Sequence, residues 1–90
     1  MLLLAGCGGG GGAALARGHD IFVQRCTHCH TLTGHDTGAD GGDLGLPRLS
    51  VGDLASFAAV MPLDPPLSRE DLRAVARYVH ARALALRRRH

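Results

Sequence analysis

The five residues Cys26-Thr27-His28-Cys29-His30 (CTHCH) place two cysteines three positions apart, with a histidine directly after the second. Two thiols at this spacing are compatible with three chemistries: metal binding, a redox-active disulfide, or covalent attachment of a larger group. The rest of the 90-residue chain bears on which of them applies.

Two of these chemistries find little support elsewhere in the chain. A structural zinc site needs four ligands, usually from a second Cys-x-x-Cys pair or a histidine pair, and no second cysteine pair is present. A thioredoxin-like redox pair needs a βαβ setting, and no strand pattern or internal repeat stands out. Zinc binding and a redox disulfide therefore stand as the alternatives to covalent attachment.

Covalent attachment of haem is the chemistry for which Cys-x-x-Cys-His is the specific signature. Each thiol would bond one haem vinyl group, and His30 would ligate the iron from the proximal side. The composition agrees, because the chain has no tryptophan, one tyrosine, two phenylalanines and 13 glycines. So short a chain with so few large side chains needs another source of core, and a bulky apolar prosthetic group would supply one.

A second axial ligand to the iron would have to come from the residues after His30. His35 is too near in sequence to reach round the ring, His80 is expected on a helix surface, and His90 is terminal. Met61, before Pro62 on an irregular segment, is the predicted ligand. The predicted pocket around the haem consists of seven apolar side chains: Leu32, Leu46, Leu49, Leu54, Phe57, Val60 and Leu63.

Three helices are predicted, over residues 13–25, 53–60 and 69–86, so the fold class is all-α. The third begins clearly, because Ser68 is a good N-cap and Asp71 follows three residues later. Gly18, one turn before Phe22, indicates close approach of another helix. Residues 31–47 are rich in Gly, Asp and Thr and are predicted to be loop. Loops this long in so small a domain are expected to wrap something.

Four segments give the chain a resemblance to the small class I c-type cytochromes across residues 13–85. They are RGHDIFVQRCTHCH at 17–30, PRL at 47–49, MP at 61–62 and LSREDLRAVARYV at 67–79. The resemblance implies a small cytochrome c fold, with about three helices and long loops wrapped round one covalent haem. It also implies that the first and last helices cross, with Gly18 and Phe22 against Tyr78.

The same resemblance assigns roles to Pro47, whose carbonyl would accept a hydrogen bond from the Nδ1–H of His30, and to the iron ligands His30 and Met61. The interval between those two ligands is shorter than is usual in the family, which predicts a trimmed loop beneath the haem. Arg48 would face either a haem propionate or solvent.

Iron held by His30 and Met61 would leave no open position, which is typical of an electron carrier rather than an enzyme. The expected partners are a donor and an acceptor redox protein. Two alternatives keep the haem: a five-coordinate sensor or peroxidase-like protein without Met61 ligation, and the haem subunit of a larger oxidoreductase. Nucleic-acid binding is not expected, because stacking aromatic residues and a reader motif are both lacking.

The N-terminal segment Leu4-Ala5-Gly6-Cys7 resembles the lipobox of bacterial lipoproteins. The resemblance implies that residues 1–6 are the remnant of a signal peptide and that Cys7 carries lipid. Residues 7–12 are predicted to form a flexible glycine tether, 13–87 the cytochrome c domain, and 88–90 a basic tail. Haem attachment of this kind and a lipid anchor both imply the periplasmic side of a bacterial cell envelope, with the protein tethered to the membrane.

Overall fold

Three helices and one pair of very short strands make up the part of the chain that the computed structural model describes, which is residues 4–34, 38, 41–45 and 47–88. For residues 4–11 this description covers the backbone alone. In chain order the elements are α1 (Leu4–Arg25), β1 (His30–Thr31), β2 (Gly42–Asp43), α2 (Val51–Ala59) and α3 (Arg69–Arg88). The prediction of a mostly helical fold is confirmed in this coarse form. The two strands were not predicted.

Helix α1 begins earlier than predicted, at Leu4 rather than Ala13, and passes through the glycine run. The flexible tether predicted for residues 7–12 is therefore helical here. Glycine disfavours helix by about 1 kcal/mol per residue relative to alanine. However, a helix that is already formed extends by one hydrogen bond for each residue added, which is far easier than starting anew. No helix among the described residues combines the length and apolar character needed to cross a bilayer.

Helices α1 and α3 cross at Gly18, which confirms the predicted close approach. A side chain at Gly18 would collide with the carbonyl oxygen of Ala74 and would lie 2.6 Å from Cβ of Tyr78. The ring of Phe22 packs against that of Tyr78, with 5.9 Å between the ring centroids. Phe22 and the neighbouring Val75 are buried. Full burial of a side chain of this kind stabilises the fold by about 1.5–3 kcal/mol.

Helix α3 begins as predicted, because the Ser68 hydroxyl accepts a hydrogen bond from the backbone N–H of Asp71 at 3.1 Å. The carboxylate of Asp71 also receives two hydrogen bonds from the Arg17 guanidinium, at 3.0 and 3.1 Å, which join α3 to α1. This ion pair holds the pKa of Asp71 below its ordinary value. The buried stripe of α3 is Ala74, Val75, Ala76, Val79, Ala83 and Leu86.

Helix α2 starts at Val51, two positions before the predicted start. Ser50 is its N-cap, and Asp53 closes a complete capping box: the Ser50 hydroxyl accepts from Asp53 N–H at 3.0 Å, and the Asp53 carboxylate accepts from Ser50 N–H. Asp53 therefore lies in the first turn rather than at the helix start. None of the α2 residues is buried, although the helix packs against α3.

Strands β1 and β2 run parallel, with His30 opposite Gly42 and Thr31 opposite Asp43. Gly42 has φ +93°, a backbone conformation that glycine adopts without strain. Strands of two residues are too short to show alternation of apolar and polar side chains, which is why the sequence pattern did not predict them. Their effect is to bring the loop after residue 40 back against the CTHCH motif.

Candidate functional site

The CTHCH motif continues α1 by one further turn. The backbone N–H of Cys26 bonds to the Phe22 carbonyl at 2.9 Å, and that of His30 bonds to the Cys26 carbonyl at 3.0 Å. Residues three and four apart in such a turn share a face, so Cys26, Cys29 and His30 are directed to one side. Cys26 is half-buried, Cys29 is exposed, and both are free thiols. Burial raises the pKa of the Cys26 thiol, so this thiol is protonated at neutral pH.

The imidazole of His30 is held by the loop that carries β2. Its Nδ1 lies 3.2 Å from the carbonyl oxygen of Gly42, so Nδ1–H is the donor and Nε2 keeps its lone pair for a ligand. Gly41 passes so close that a Cβ there would lie 2.6 Å from Cε1 of the ring. A glycine at 41 therefore leaves the space that the imidazole fills.

The hydrogen-bond partner of His30 corrects the assignment of Pro47. Its carbonyl was expected to accept the Nδ1–H bond, but Gly42 takes that place because strand pairing sets it directly opposite His30. Pro47 and Arg48 are both exposed, and neither lines a cavity beside the motif. Arg48 was predicted to face either a haem propionate or solvent, and its exposed side chain agrees with the second orientation.

Beside the motif lies a cavity of about 210 Å³ between the three helices. Of the seven side chains predicted for the pocket, Leu49, Leu54 and Phe57 line it. The complete lining is Phe22, Cys26, His30, Gly41, Leu44, Leu49, Leu54, Phe57, Ala58, Met61, Val75, Ala76 and Val79. No charged side chain other than that of His30, when protonated, contributes to this lining.

A second cavity, of about 260 Å³, adjoins the motif on the side of Cys29 and Pro62. Its lining includes Leu63, a fourth residue from the predicted pocket. Four residues line both cavities: Cys26, His30, Ala58 and Met61. Together the two cavities reach the roughly 300–1,000 Å³ that is typical of sites for small molecules and cofactors.

The three remaining members of the predicted pocket lie elsewhere. Leu32 packs against the core cluster of α1 and α3 instead of lining either cavity. Val60 is 75 % exposed, since it follows the last turn of α2 on the outer side. Leu46 lies outside the described residues.

Met61 is brought to the motif by the turn that ends α2. Its backbone N–H bonds to the Ala58 carbonyl at 3.2 Å, and its side chain lines both cavities while remaining 40 % exposed. Among the other candidate ligands, His80 lines neither cavity. His35 and His90 lie outside the described residues. Met61 is thus the candidate ligand that the described structure places beside His30.

Sequence reasoning missed the wall of the site that α3 supplies. Val75, Ala76 and Val79 were predicted as the apolar face of the last helix, but not as part of the pocket. The apolar stripe is broad enough to face both α1 and the cavity. An apolar stripe wider than one helix contact requires indicates a second contact, and this width could have predicted that α3 lines the pocket.

The donor set contains the residue types that a covalent haem requires. A haem attached to this motif needs two thiols and an imidazole on one face, an apolar slot beside them and a further donor across it. Cys26, Cys29 and His30 supply the two thiols and the imidazole, the two cavities supply the apolar walls, and Met61 lines the same cavities as His30. Within the described ranges no three His, Cys, Asp or Glu side chains are grouped so as to hold a metal ion, which gives no support to zinc binding.

The lining of the second cavity is largely apolar but also includes the polar side chain of His28. The second cavity has one arginine in its lining, Arg25, whose guanidinium donates a hydrogen bond to the carbonyl of Pro65 and so ties the end of α1 to the segment before α3.

Comparisons with protein-family models, with characterised proteins and with solved structures found no match to this chain.

Proposed function

We propose that this chain is a small monohaem c-type cytochrome that carries single electrons between redox proteins. One observation carries the proposal: Cys26 and His30 of the CTHCH motif line both cavities together with Met61, which follows His30 by 31 positions in the sequence. The predicted cytochrome c fold belongs to this proposal. It is supported by the crossing of α1 and α3 at Gly18 and by the packing of Phe22 on Tyr78.

Cys26 and Cys29 act as the covalent attachment points. Each thiol would hold the haem through a thioether bond, and addition of S–H across a vinyl C=C would form this bond without an oxidant or a reductant. The exposure of Cys29 gives the attachment reaction access from solvent, while half-buried Cys26 anchors the inner side. Free thiols are the state that this addition requires.

His30 and Met61 would be the two protein ligands of the iron. Hydrogen bonding of Nδ1–H to the Gly42 carbonyl fixes the His30 ring and leaves Nε2 as the ligating atom. The bound haem supplies a one-electron ferric/ferrous couple. The soft thioether of Met61 favours the ferrous state, and six ligands leave no position for a substrate, so the proposed protein is an electron carrier and not an enzyme.

The apolar lining has the task of keeping water from the iron. Leu49, Leu54 and Phe57 on one side and Val75 and Val79 on the other provide it. A low-dielectric lining disfavours the extra positive charge of the ferric state and raises the potential. The electron is proposed to leave by the edge near Cys26 and Cys29, since Cys29 is the exposed end of the motif.

The proposed location is the periplasmic side of a bacterial cell envelope, with the membrane reached through lipid on Cys7. This part of the proposal is supported by the lipobox-like segment and by the chemistry of covalent haem attachment. Cys7 lies in the stretch of α1 whose side chains the structure does not describe. The proposed partners are redox proteins, and no nucleic acid is involved.

Optical spectroscopy of the protein produced with a haem-ligation system tests the proposal. The oxidised protein should show a Soret band and a weak near-red sulfur-to-iron band, and it should reduce to a low-spin ferrous form. His30→Ala should abolish this spectrum, whereas His28→Ala, a change to the exposed spacer residue of the same motif, should leave it intact. Absence of a Soret band in the wild type would refute the proposal.

The same spectrum separates the rival function. Met61 is 40 % exposed, which is more than expected for a ligand sealed inside a pocket. If Met61 did not bind, high-spin features would appear and the iron would be open to a gas or peroxide. That result would replace the electron carrier with the five-coordinate sensor or peroxidase-like protein.

A further inference from the structure

Asp43 is the one buried charged or polar side chain in the described part of the chain, with 3 % of its surface exposed. It lies on β2, directly after the glycine whose carbonyl holds His30. Burial of a carboxylate costs several kcal/mol unless hydrogen bonds replace its water. A buried carboxylate beside the site therefore needs an explanation.

Both carboxylate oxygens of Asp43 accept hydrogen bonds from the loop around it. The backbone N–H of Thr33 donates at 3.0 Å, that of Gly34 at 3.0 Å, and that of Gly45 at 2.8 Å, while the Thr33 hydroxyl donates to Oδ2. The donors belong to two segments, one just after β1 and one just after β2. Asp43 thus ties the two ends of the loop together.

The hydrogen bonds of Asp43 affect His30 through the pairing of β1 with β2. Thr31 lies opposite Asp43 and His30 opposite Gly42, and the N–H of Leu44 bonds to the Thr31 carbonyl at 2.8 Å. On the other side of Gly42, the N–H of Gly41 bonds to the Cys29 carbonyl at 2.5 Å. The residues on either side of Gly42 are therefore held in place, and Asp43 contributes to this through its side chain.

We propose that Asp43 is a positioning residue for His30: it holds the Gly42 carbonyl as the acceptor for Nδ1–H, and it thereby fixes the ligating nitrogen and sets the reduction potential. The inference rests on the proposed function, since it concerns His30 as an iron ligand. No backbone carbonyl can be removed by mutation, so the side chain that holds Gly42 is the point at which this bond can be tested.

The direction of the effect follows from the bond. A hydrogen bond from Nδ1 raises the basicity of the imidazole, and a more basic ligand favours ferric iron. Loosening the Gly42 carbonyl should therefore shift the couple towards the ferrous state and expose the Nδ1 proton to exchange with water. Loss of partners next to metal ligands typically costs roughly 10–100-fold in metal affinity or activity, and we expect an effect at the lower end of this range on the redox equilibrium.

The experiment uses the haem-loaded full chain and two variants of the same tie. Asp43→Ala removes the carboxylate and its charge. Thr33→Val removes one hydroxyl donor and leaves the charge in place, so it separates positioning from simple electrostatics. Ser68→Ala is the control for general destabilisation, because it removes the α3 N-cap away from His30, and Asp20→Asn is the control for loss of an exposed negative charge.

Two readouts decide the matter: the ferrous-to-ferric ratio at a fixed solution potential and the exchange rate of the His30 Nδ1 proton by NMR. Asp43→Ala should raise both by roughly tenfold or more, and Thr33→Val should raise both by less, while the two controls change neither. Should Asp43→Ala fail to assemble, Thr33→Val carries the test alone.

Lower melting temperatures with both readouts unchanged would overturn the inference and leave the proposed function standing. A wild-type protein with no covalent haem would overturn both, and it would do so before any variant is compared.

Discussion

The crossing of α1 with α3 and the face of the molecule built around α2 are packed in opposite ways. At the crossing, the backbone of Gly18 touches that of Ala74, and Phe22 and Val75 are buried. On the other face, α2 has no buried residue, and Phe57 at its inner end is 53 % exposed while it lines a cavity. The same short chain thus closes one core by itself and leaves apolar walls on the other.

This difference indicates which part of the fold depends on the proposed haem. The crossing obtains its stability from direct contact between side chains. Helix α2, which has no buried residue, is held by its capping box and by its contact with α3. A chain with three aromatic residues cannot fill both regions with large rings. Mutations should therefore act differently in the two regions, and the following experiments test that.

The largest effect is expected from Cys26→Ala combined with Cys29→Ala. Without the thiols no haem is attached, and the face around α2 has no large group to pack against. The crossing alone is too small a core to hold the rest of the chain, so the chain should be largely unfolded. Far-ultraviolet circular dichroism with thermal denaturation measures this. Cys7→Ser is the matched control and should retain haem, helix content and a cooperative transition. A cooperative, helical double variant would show that the haem is not the second core.

Met61→Ala should change the site strongly and the stability weakly. The sulfur-to-iron band should disappear and the reduction potential should fall, because the soft thioether favours ferrous iron. Since Met61 is 40 % exposed, the free energy of unfolding should change by no more than about 1 kcal/mol. Redox titration and denaturation of the haem-loaded protein measure both. Val60→Ala, at the exposed neighbour, should alter neither, and an unchanged spectrum in Met61→Ala would exclude this methionine as the ligand.

Gly18→Ala should damage the crossing and spare the site. The added methyl group would meet the Ala74 carbonyl and Cβ of Tyr78, and such overpacking typically costs about 1–3 kcal/mol. Gly12→Ala lies in the same helix with open space around it, so it should stabilise by about 0.4–1 kcal/mol. Urea unfolding of both variants gives the comparison. Equal changes of the same sign would mean that the helices do not meet at Gly18.

The smallest effect is a dependence on pH at the outer edge of the crossing. The Arg17 guanidinium lowers the pKa of Asp71, so this pair stabilises the folded protein above the ordinary aspartate pKa of about 3.9 and the contribution is lost as the pH falls through the lowered value. Asp71→Asn should therefore be less stable than the wild type at neutral pH and equal to it at strongly acid pH. Urea midpoints across this range measure the difference. A constant deficit for Asp71→Asn at all pH values would argue against the ion pair.

Local signals in the sequence predicted the start of α3 and the crossing of α1 with α3, but not the start of α1 at Leu4. Ser68 with Asp71 marked the start of α3, and Gly18 before Phe22 marked the crossing, because caps and close approaches depend on neighbouring residues. The start of α2 was placed two positions late, although Ser50 and Asp53 form the capping box that indicates it. In this case Asp53 was taken as the first residue of the helix, although it lies in the first turn after the N-cap Ser50.

The loop under His30 was predicted less well, because its path depends on contacts distant in sequence. Pro47 was assigned the hydrogen bond that Gly42 makes, and two-residue strands give no pattern from which the pairing could be inferred. The role of Asp43 was missed for the same reason, since its donors come from segments whose proximity only the fold establishes. The residues that position His30 could therefore not be predicted from local sequence patterns.

Mass spectrometry of the intact chain under denaturing conditions is the most direct test of the central claim, that Cys26 and Cys29 fasten one haem over His30. Denaturation releases any group that is not covalently bound. The protein made with a haem-ligation system should retain the added mass of one haem per chain, and the Cys26→Ala, Cys29→Ala variant should not. The mass of the bare chain in the wild-type sample would contradict the account.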